Sequence, residues 1–375
     1  MMDSGSASAM LDELDRLPAD LSPLVESASA QLFESQFDLS SLRHGRVILT
    51  GCGDSLHAAT AICPAMTSVS GCLVTVSRPR RLIASLERSR RAEAAQLVIG
   101  ISASGATDAV CDALRMAREA GCITLALVGQ PDSPAEAIAH MTLILRPPDK
   151  RRGPGIRSYQ ASAVGLLNIG IRIGHGIRHL SAVDVTRWQE RILNVAGPLR
   201  ETLEGSREIA QAVARETANQ PLMLFLAAAN HLGTARYCAA KRIEASGLFG
   251  SAQDFEESCH VERFAMPIDI PVAIIAPDDE TKEEAAHAAT IARGIGRRVF
   301  VLSDPRAKEV RQHAQKSFDL ILPEEALLSP LVSHPVLTRV SAHEADILGR
   351  QPFLADLPEI RAGVEAYRRS FRRGD

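Results

Sequence analysis

Two short turns carry the residue types best suited to hold a ligand. The first is Gly51-Cys52-Gly53-Asp54-Ser55, between an apolar run and a helical pattern. The second is Ser102-Ala103-Ser104-Gly105-Ala106-Thr107, in the same setting after 97-LVIGI-101. Small residues let the backbone come close to a ligand. Free amides at a helix start, backed by the helix dipole, favour a negative group. Hydroxyls from Ser55, Ser102, Ser104 and Thr107 add donors, so the turns can cradle a phosphate without arginine or lysine. Helix capping and turn formation use the same residue types. Two such turns at corresponding places point to a ligand. Neither carries a nucleotide signature: Leu56 stands where a dinucleotide loop would go on to its third glycine, and no Walker lysine follows.

A parallel sheet must hold these turns. Apolar runs 46-RVILT-50, 72-CLVTV-76, 97-LVIGI-101, 122-CITLALV-128 and 142-TLIL-145 alternate with helical patterns near 55–69, 78–88, 106–120 and 133–140. Strands apolar on both faces and joined by helices imply an α/β sandwich with its ligand loops at the carboxyl ends of the strands. A Pro/Gly/charged break at 146–157 precedes a helical stretch from Ser158 to near Arg178 and one further helix at about 184–217. The rhythm then resumes with 221-PLMLFLA-227, 271-PVAIIA-276, 298-RVFVL-302 and 318-FDLIL-322, with helices at 231–248, 280–294 and 330–349. Segments 97–129 and 271–304 both read strand, polar turn, helix, glycine, strand, and 47–55 aligns with 223–231. Ala227-Ala228-Ala229 answers Gly51-Cys52-Gly53, so the first copy is expected to keep the ligand loops. The expected fold is α/β, two tandem three-layer α/β/α sandwiches with parallel sheets. The expected divisions are a tail with helices at 1–40, a first unit at 41–182, a helical connector at 183–217, a second unit at 218–350 and a tail at 351–375.

Composition narrows the partners. The chain has 375 residues, 46% hydrophobic and 23% charged, enough for two or three globular domains. With 42 Lys+Arg against 45 Asp+Glu, it is not built to hold nucleic acid by bulk charge. No apolar stretch reaches the ~20 residues of a membrane span, and MMDSGSASAM lacks the basic and apolar regions of a secretory signal. A cytoplasmic protein with no membrane partner is expected. The seven cysteines are odd in number and form no Cys-x-x-Cys pair, which implies reduced thiols. No metal-ligand spacing is present, so neither a metal nor a cofactor is expected.

The two turns, their spacing and the segment 153-GPGIRSYQAS-162 together resemble the sugar isomerase (SIS) domain family. The likeness is to its tandem members, the isomerase half of glucosamine-6-phosphate synthase and the fructosamine-phosphate deglycases, and covers about residues 10–350. The family pattern Cys-Gly-Thr-Ser falls on Cys52, Gly53, Asp54 and Ser55. Its second pattern, Ser-Gln-Ser-Gly-Glu-Thr, falls on Ser102 through Thr107. The resemblance implies phosphate contacts from Ser102, Ser104 and Thr107. It implies sugar contacts from Ser55 and Ser158, with Gly53 also at the substrate.

The resemblance also implies an acid and a base in the second half. A family glutamate and a histidine sixteen residues on fall on Glu244 in 241-KRIE-244 and His260 in 257-ESCH-260. Glu244 would move protons between C1 and C2 of the sugar. His260, lent by a neighbouring subunit in relatives, would act in ring opening or leaving-group protonation, which implies a homodimer. Aldose–ketose chemistry by itself needs one base that reaches two adjacent carbons, and an acid that protonates near neutral pH. Glu257 and His343 are further candidates.

Departures from the family shape the expected reaction. No glutaminase portion precedes the tandem pair, and no lysine follows Lys316, whereas the synthase opens its sugar with a C-terminal lysine. Ala103 and Ala106 replace a glutamine and a glutamate. A lysine-free Glu/His pair fits a deglycase or an isomerase acting on a sugar phosphate or amino-sugar phosphate. A non-catalytic sugar-phosphate-binding protein and an aminosugar-pathway enzyme on an unphosphorylated substrate are the alternatives.

Overall fold

The computed structural model describes residues 7–34, 42, 45–89, 96–149, 153–277 and 280–371. The first half comprises α1 (Ala7–Glu34), β1 (Arg46–Gly51), α2 (Asp54–Ser70), β2 (Leu73–Ser77), α3 (Pro79–Ser89), β3 (Gln96–Ser102), α4 (Asp108–Glu119), β4 (Ile123–Val128), α5 (Pro134–Ile138), β5 (Met141–Ile144) and α6 (Arg157–Gly176). Helices α7 (Ala182–Asn194), α8 (Ala196–Gly205) and α9 (Arg207–Thr217) follow. The second half comprises β6 (Leu222–Leu226), α10 (His231–Ser246), β7 (Phe249–Gln253), α11 (Phe255–His260), β8 (Val272–Ala276), α12 (Lys282–Ile295), β9 (Val299–Ser303), α13 (Lys308–Arg311), β10 (Lys316–Asp319), α14 (Pro330–Ile347) and α15 (Pro358–Phe371).

Each half builds one all-parallel five-stranded sheet, ordered β2-β1-β3-β4-β5 and β7-β6-β8-β9-β10, so the two share one topology. Alternate strand residues go to opposite faces. Val98 and Ala126 pack outward against Leu114 on α4, while Leu97, Ile99 and Leu125 enter the large central core. On the second sheet Ile274 and Val301 pack outward with Ala289 of α12, while Ala273, Ile275 and Phe300 face the centre. That central core runs unbroken through α1, α2, α6, α10 and α14. The expected tandem sandwiches are therefore present, and they share their inner helical layer.

Two local expectations are corrected. The helix read at 184–217 is three helices, α7 to α9. Pro198 has no N–H to give the Asn194 carbonyl, so the ladder of α7 ends there. At the next break the Ser206 hydroxyl turns back to the Leu203 carbonyl at 2.9 Å. Strand β7 was not foreseen. Its sequence FGSAQ has no apolar run, because it is an edge strand whose pairing comes from β6. His231, in the first turn of α10, is buried, with Nε2 3.0 Å from Ser329 Oγ. The readings at residues 1–6, 35–41 and 150–152 lie outside the described residues.

Two contacts position the site. Arg157, first residue of α6, is buried and donates Nε and Nη2 to the two oxygens of Asp20 at 2.6 and 2.7 Å, with Nη2 also on the Pro148 carbonyl at 2.7 Å. This clamp ties the start of α6 to α1. The second contact joins the halves. Helix α10 crosses α2 at Gly233, where an added Cβ would stand 2.4 Å from the Ala61 nitrogen and 2.7 Å from the His57 oxygen. Both obstacles are backbone, so the helices would have to separate. Gly233→Ala is expected to cost about 1–3 kcal/mol, the usual cost of overpacking. An unchanged urea midpoint would show that the crossing tolerates a wider spacing.

Candidate active site

The first turn begins where β1 ends. A Cβ on Gly51 would lie 2.9 Å from Ser55 Cβ and 3.2 Å from the Ile101 carbonyl, so the turn closes tightly against the end of β3. Gly53 takes φ 53°, a left-handed conformation that suits glycine. Ser55 then lies in the first turn of α2. In the second turn Ser102 closes β3, and Thr107 stands at the N-cap position of α4 without its hydroxyl bonding a helical amide. Ser102 Oγ lies 2.9 Å from Thr107 Oγ1 and 3.4 Å from Ser104 Oγ, and the Ala106 amide donates to Ser104 Oγ at 3.2 Å. Gly105, at φ 66°, passes so close to Ser133 that a Cβ would fall 2.3 Å from its side chain. No larger residue fits this turn.

The turns face a cavity of about 410 Å³, lined by Cys52, Asp54 and Ser55 from the first, by Ser102, Ala103, Ser104 and Thr107 from the second, and by Gly155, Ser158, Tyr159 and Ser162 around the start of α6. It adjoins a larger cavity of about 1170 Å³, which shares Ser104, Ser158 and Ser162 and is bordered by Arg146. Hydroxyls and small residues converge on one space, as a phosphate cradle requires.

The second half enters through α10. Lys241, with no exposed surface, places Nζ 2.7 Å from Asp54 Oδ2 and also pairs with Glu244. One ammonium thus bridges a carboxylate of the ligand turn and a carboxylate three residues along its own helix. Both carboxylate side chains keep partial access to solvent, Asp54 at 22% and Glu244 at 29%. The triad holds one net negative charge in a desolvated place. Burial, chiefly, and the Asp54 charge raise the Glu244 carboxyl against the lowering effect of Lys241. Asp54 and Glu244 raise Lys241, outweighing its own burial. Glu244 is thereby tuned toward a base that works closer to neutral pH.

A neutral wall backs the triad. Tyr237 lies 5.2 Å from Lys241 Nζ, Tyr159 stacks on Tyr237 with centroids 4.0 Å apart, and His334 meets both rings. Burial lowers His334 to about 3, so it stays uncharged. His57, on α2, is lowered to about 4, mainly by burial. A charge-free wall of this kind concentrates the field of the triad and of any bound anion.

Residues 42–167 match the SIS domain family. They are an SIS domain. Over 356 residues the chain is 24% identical to the glutamine–fructose-6-phosphate aminotransferase (isomerizing) of Shewanella oneidensis, covering 91% of this chain and 56% of that protein. The chain spans about half the length of the curated relatives it matches. Among solved structures it is similar to the C-terminal domain of glucosamine-fructose-6-phosphate aminotransferase from Francisella tularensis, with TM-score 0.76 and 17% identity over 91% of this chain and 96% of that one. It is also similar to glucosamine-6-phosphate deaminase from Thermotoga maritima, with TM-score 0.67 and 17% identity over 92% and 96%. At these identities the shared property is the fold.

Within the SIS domain, Ser55, Ser102, Ser104, Thr107 and Ser158 meet at one cavity, and Gly53 shapes its first turn. Glu244 reaches the cavity wall through Lys241 and Asp54. His260 does not join them. It sits on the exposed end of α11, its Nε2 2.9 Å from Glu256 Oε1, and Glu257 is exposed on the same helix. His343 lies on α14, with Arg339, Asp346 and Arg215 as its charged neighbours. Lys241, to which the sequence reading gave no role, joins the candidate site beside Glu244. Its signal was a lysine three residues before Glu244, on the same helix face. Asp54, standing where the family pattern has threonine, was its unread partner.

No described helix is long and apolar enough to cross a membrane. Replacing Lys241 by Met should leave two adjacent carboxylates with no cation. A loss of about 3 kcal/mol is expected, the low end for breaking a buried pair because both carboxylates keep partial solvent access. Urea unfolding of the variant measures it, and an unchanged midpoint would show the triad to be energetically idle.

Proposed function

We propose that this chain acts on a phosphorylated ketose, or its C1/C2-amino derivative, by moving a proton between C1 and C2. The carrying observation is that Lys241 links Glu244 of the second half to Asp54, which lines the hydroxyl-rich cavity of the SIS domain. Ser102, Ser104 and Thr107 hold the phosphate, with the amides at the start of α4 behind them. Ser55 and Ser158 meet the sugar hydroxyls. Glu244 takes the proton from one carbon and returns it to the next, while Lys241, itself shut off from the cavity, holds Glu244 in place through their ion pair. The similarity to proteins named for fructose 6-phosphate and for glucosamine 6-phosphate supports this substrate class. Loss of the amine by hydrolysis is the deglycase form of the same proton shift.

In this reading His260 serves the active site of a second copy. It is exposed, and Val261, Phe264, Met266 and Ile268 beside it are exposed apolar side chains. A homodimer that covers this segment would bury them and deliver the histidine. Mixing Glu244→Gln and His260→Ala proteins, each inactive, should restore activity if each site draws on two chains. No recovery after verified subunit exchange would place both residues in one chain.

Glu244→Gln keeps the shape and removes the base. With fructose 6-phosphate or its C1-amino derivative, turnover should fall at least 10²–10⁴-fold, and solvent deuterium should no longer enter the sugar. Exchange at the wild-type rate would exclude Glu244 as the shuttle. Phosphate binding without turnover or exchange in the wild-type chain would favour the non-catalytic alternative, for which the exposed position of His260 is the supporting observation.

The pH profile carries the same assignment. Glu244 is active when ionised, so the rate falls as pH drops through its raised pKa, earlier than for an ordinary carboxylate. Asp54 contributes to that rise. Asp54→Asn should therefore move the acid limb of kcat/KM to lower pH. A limb that stays in place would assign it to another group.

A further inference from the structure

The second sheet has its own cavity, of about 830 Å³, at the carboxyl ends of β6, β8 and β9. Open parallel sheets bind ligands at this edge, and the volume is that of a small-molecule site. Its position mirrors the SIS-domain cavity. Asn230 stands where Asp54 stands in the first copy, one residue after a left-handed position, φ 49° at Ala229 against φ 53° at Gly53. The chemistry differs. The lining offers Glu280, Asp304, Glu309 and Glu325 against Lys282 and Arg306, so carboxylates outnumber cations. Arg306 occupies both oxygens of Asp304, at 2.9 and 2.7 Å, and Arg191 takes Glu325 at 3.2 Å. Glu280 and Glu309 remain exposed at the rim.

Asn230 is the residue the fold leaves unused. It is only 7% exposed and lines the cavity. Its side chain caps no helical amide and has no hydrogen-bond partner among the described residues. An amide carrying two donors and an acceptor, in a residue only 7% exposed that opens onto the cavity, offers those groups to a ligand rather than to the protein. Together with free carboxylates at the rim, it matches hydroxyls and a protonated amine. It does not match a phosphate, which the carboxylates and the acidic first turn of α12, Glu283 and Glu284, would repel.

We propose that this second cavity binds a polyhydroxylated amine that carries no phosphate. The probe is N-methyl-D-glucamine, titrated into the full chain by calorimetry, with D-sorbitol and inorganic phosphate as comparisons. The amine should bind saturably, sorbitol at least about tenfold more weakly, and phosphate should not compete. Asn230→Leu and the surface change Glu309→Lys should each weaken the amine about tenfold or more, whereas Ser104→Ala in the other cavity should leave it unchanged. The proposal is overturned by the absence of saturable amine binding, by equal binding of sorbitol, by binding that survives both cavity variants, or by loss of binding in Ser104→Ala.

Discussion

The site depends on one ammonium. Lys241 is wholly buried and would be costly to charge there alone, and two carboxylates from different halves of the molecule hold it charged. That requirement sets how close α10 must come to α2, and the absence of a Cβ at Gly233 permits it. The crossing has a second consequence. Helix α2 starts at the SIS-domain cavity and places Pro64 on the wall of the other, while α10 starts at the second cavity with Asn230 and carries Lys241 and Glu244 to the first. Each helix thus serves both cavities, and neither half builds the candidate site alone.

The proposed phosphate cradle is made from hydroxyls, backbone and a helix start, with no cation in its immediate lining among the described residues. Lys241, whose ammonium meets Asp54 of the other turn, is committed to Asp54 and Glu244. This separates two jobs that a single lysine would mix. In the proposed function, anion binding would use neutral donors whose strength does not change with pH, while acid–base work would use a carboxylate whose affinity for protons is set by burial and by the charges of Lys241 and Asp54. The adjacent wall of Tyr159, Tyr237 and neutral His334 adds no competing titration.

The two copies of the sandwich have kept their topology and divided their chemistry. Serine, threonine and glycine line the first ligand edge. Alanine, asparagine and carboxylates line the second. The same edge of the same sheet order therefore presents an anion-seeking surface in one half and an amine-seeking surface in the other. Duplication supplied the scaffold, and a few turn residues decided what each cavity accepts.

The sequence by itself determined the tandem parallel sheets, since strands buried on both faces read as continuous apolar runs and helices read by their period. It also determined the turn chemistry, because Gly51, Gly53 and Gly105 act within a few residues of the hydroxyls they position. It could not show β7, an edge strand whose small polar residues join the sheet through β6, nor the two breaks in the 182–217 helix, where local bonding outweighs period. Above all it could not show the Asp54–Lys241 pair, whose members lie 187 residues apart. Only the α2–α10 crossing brings them together and so decided that Lys241, with Glu244 one turn along its own helix, belongs to the site; the exposed place of His260 at the end of α11 is likewise set by the tertiary structure.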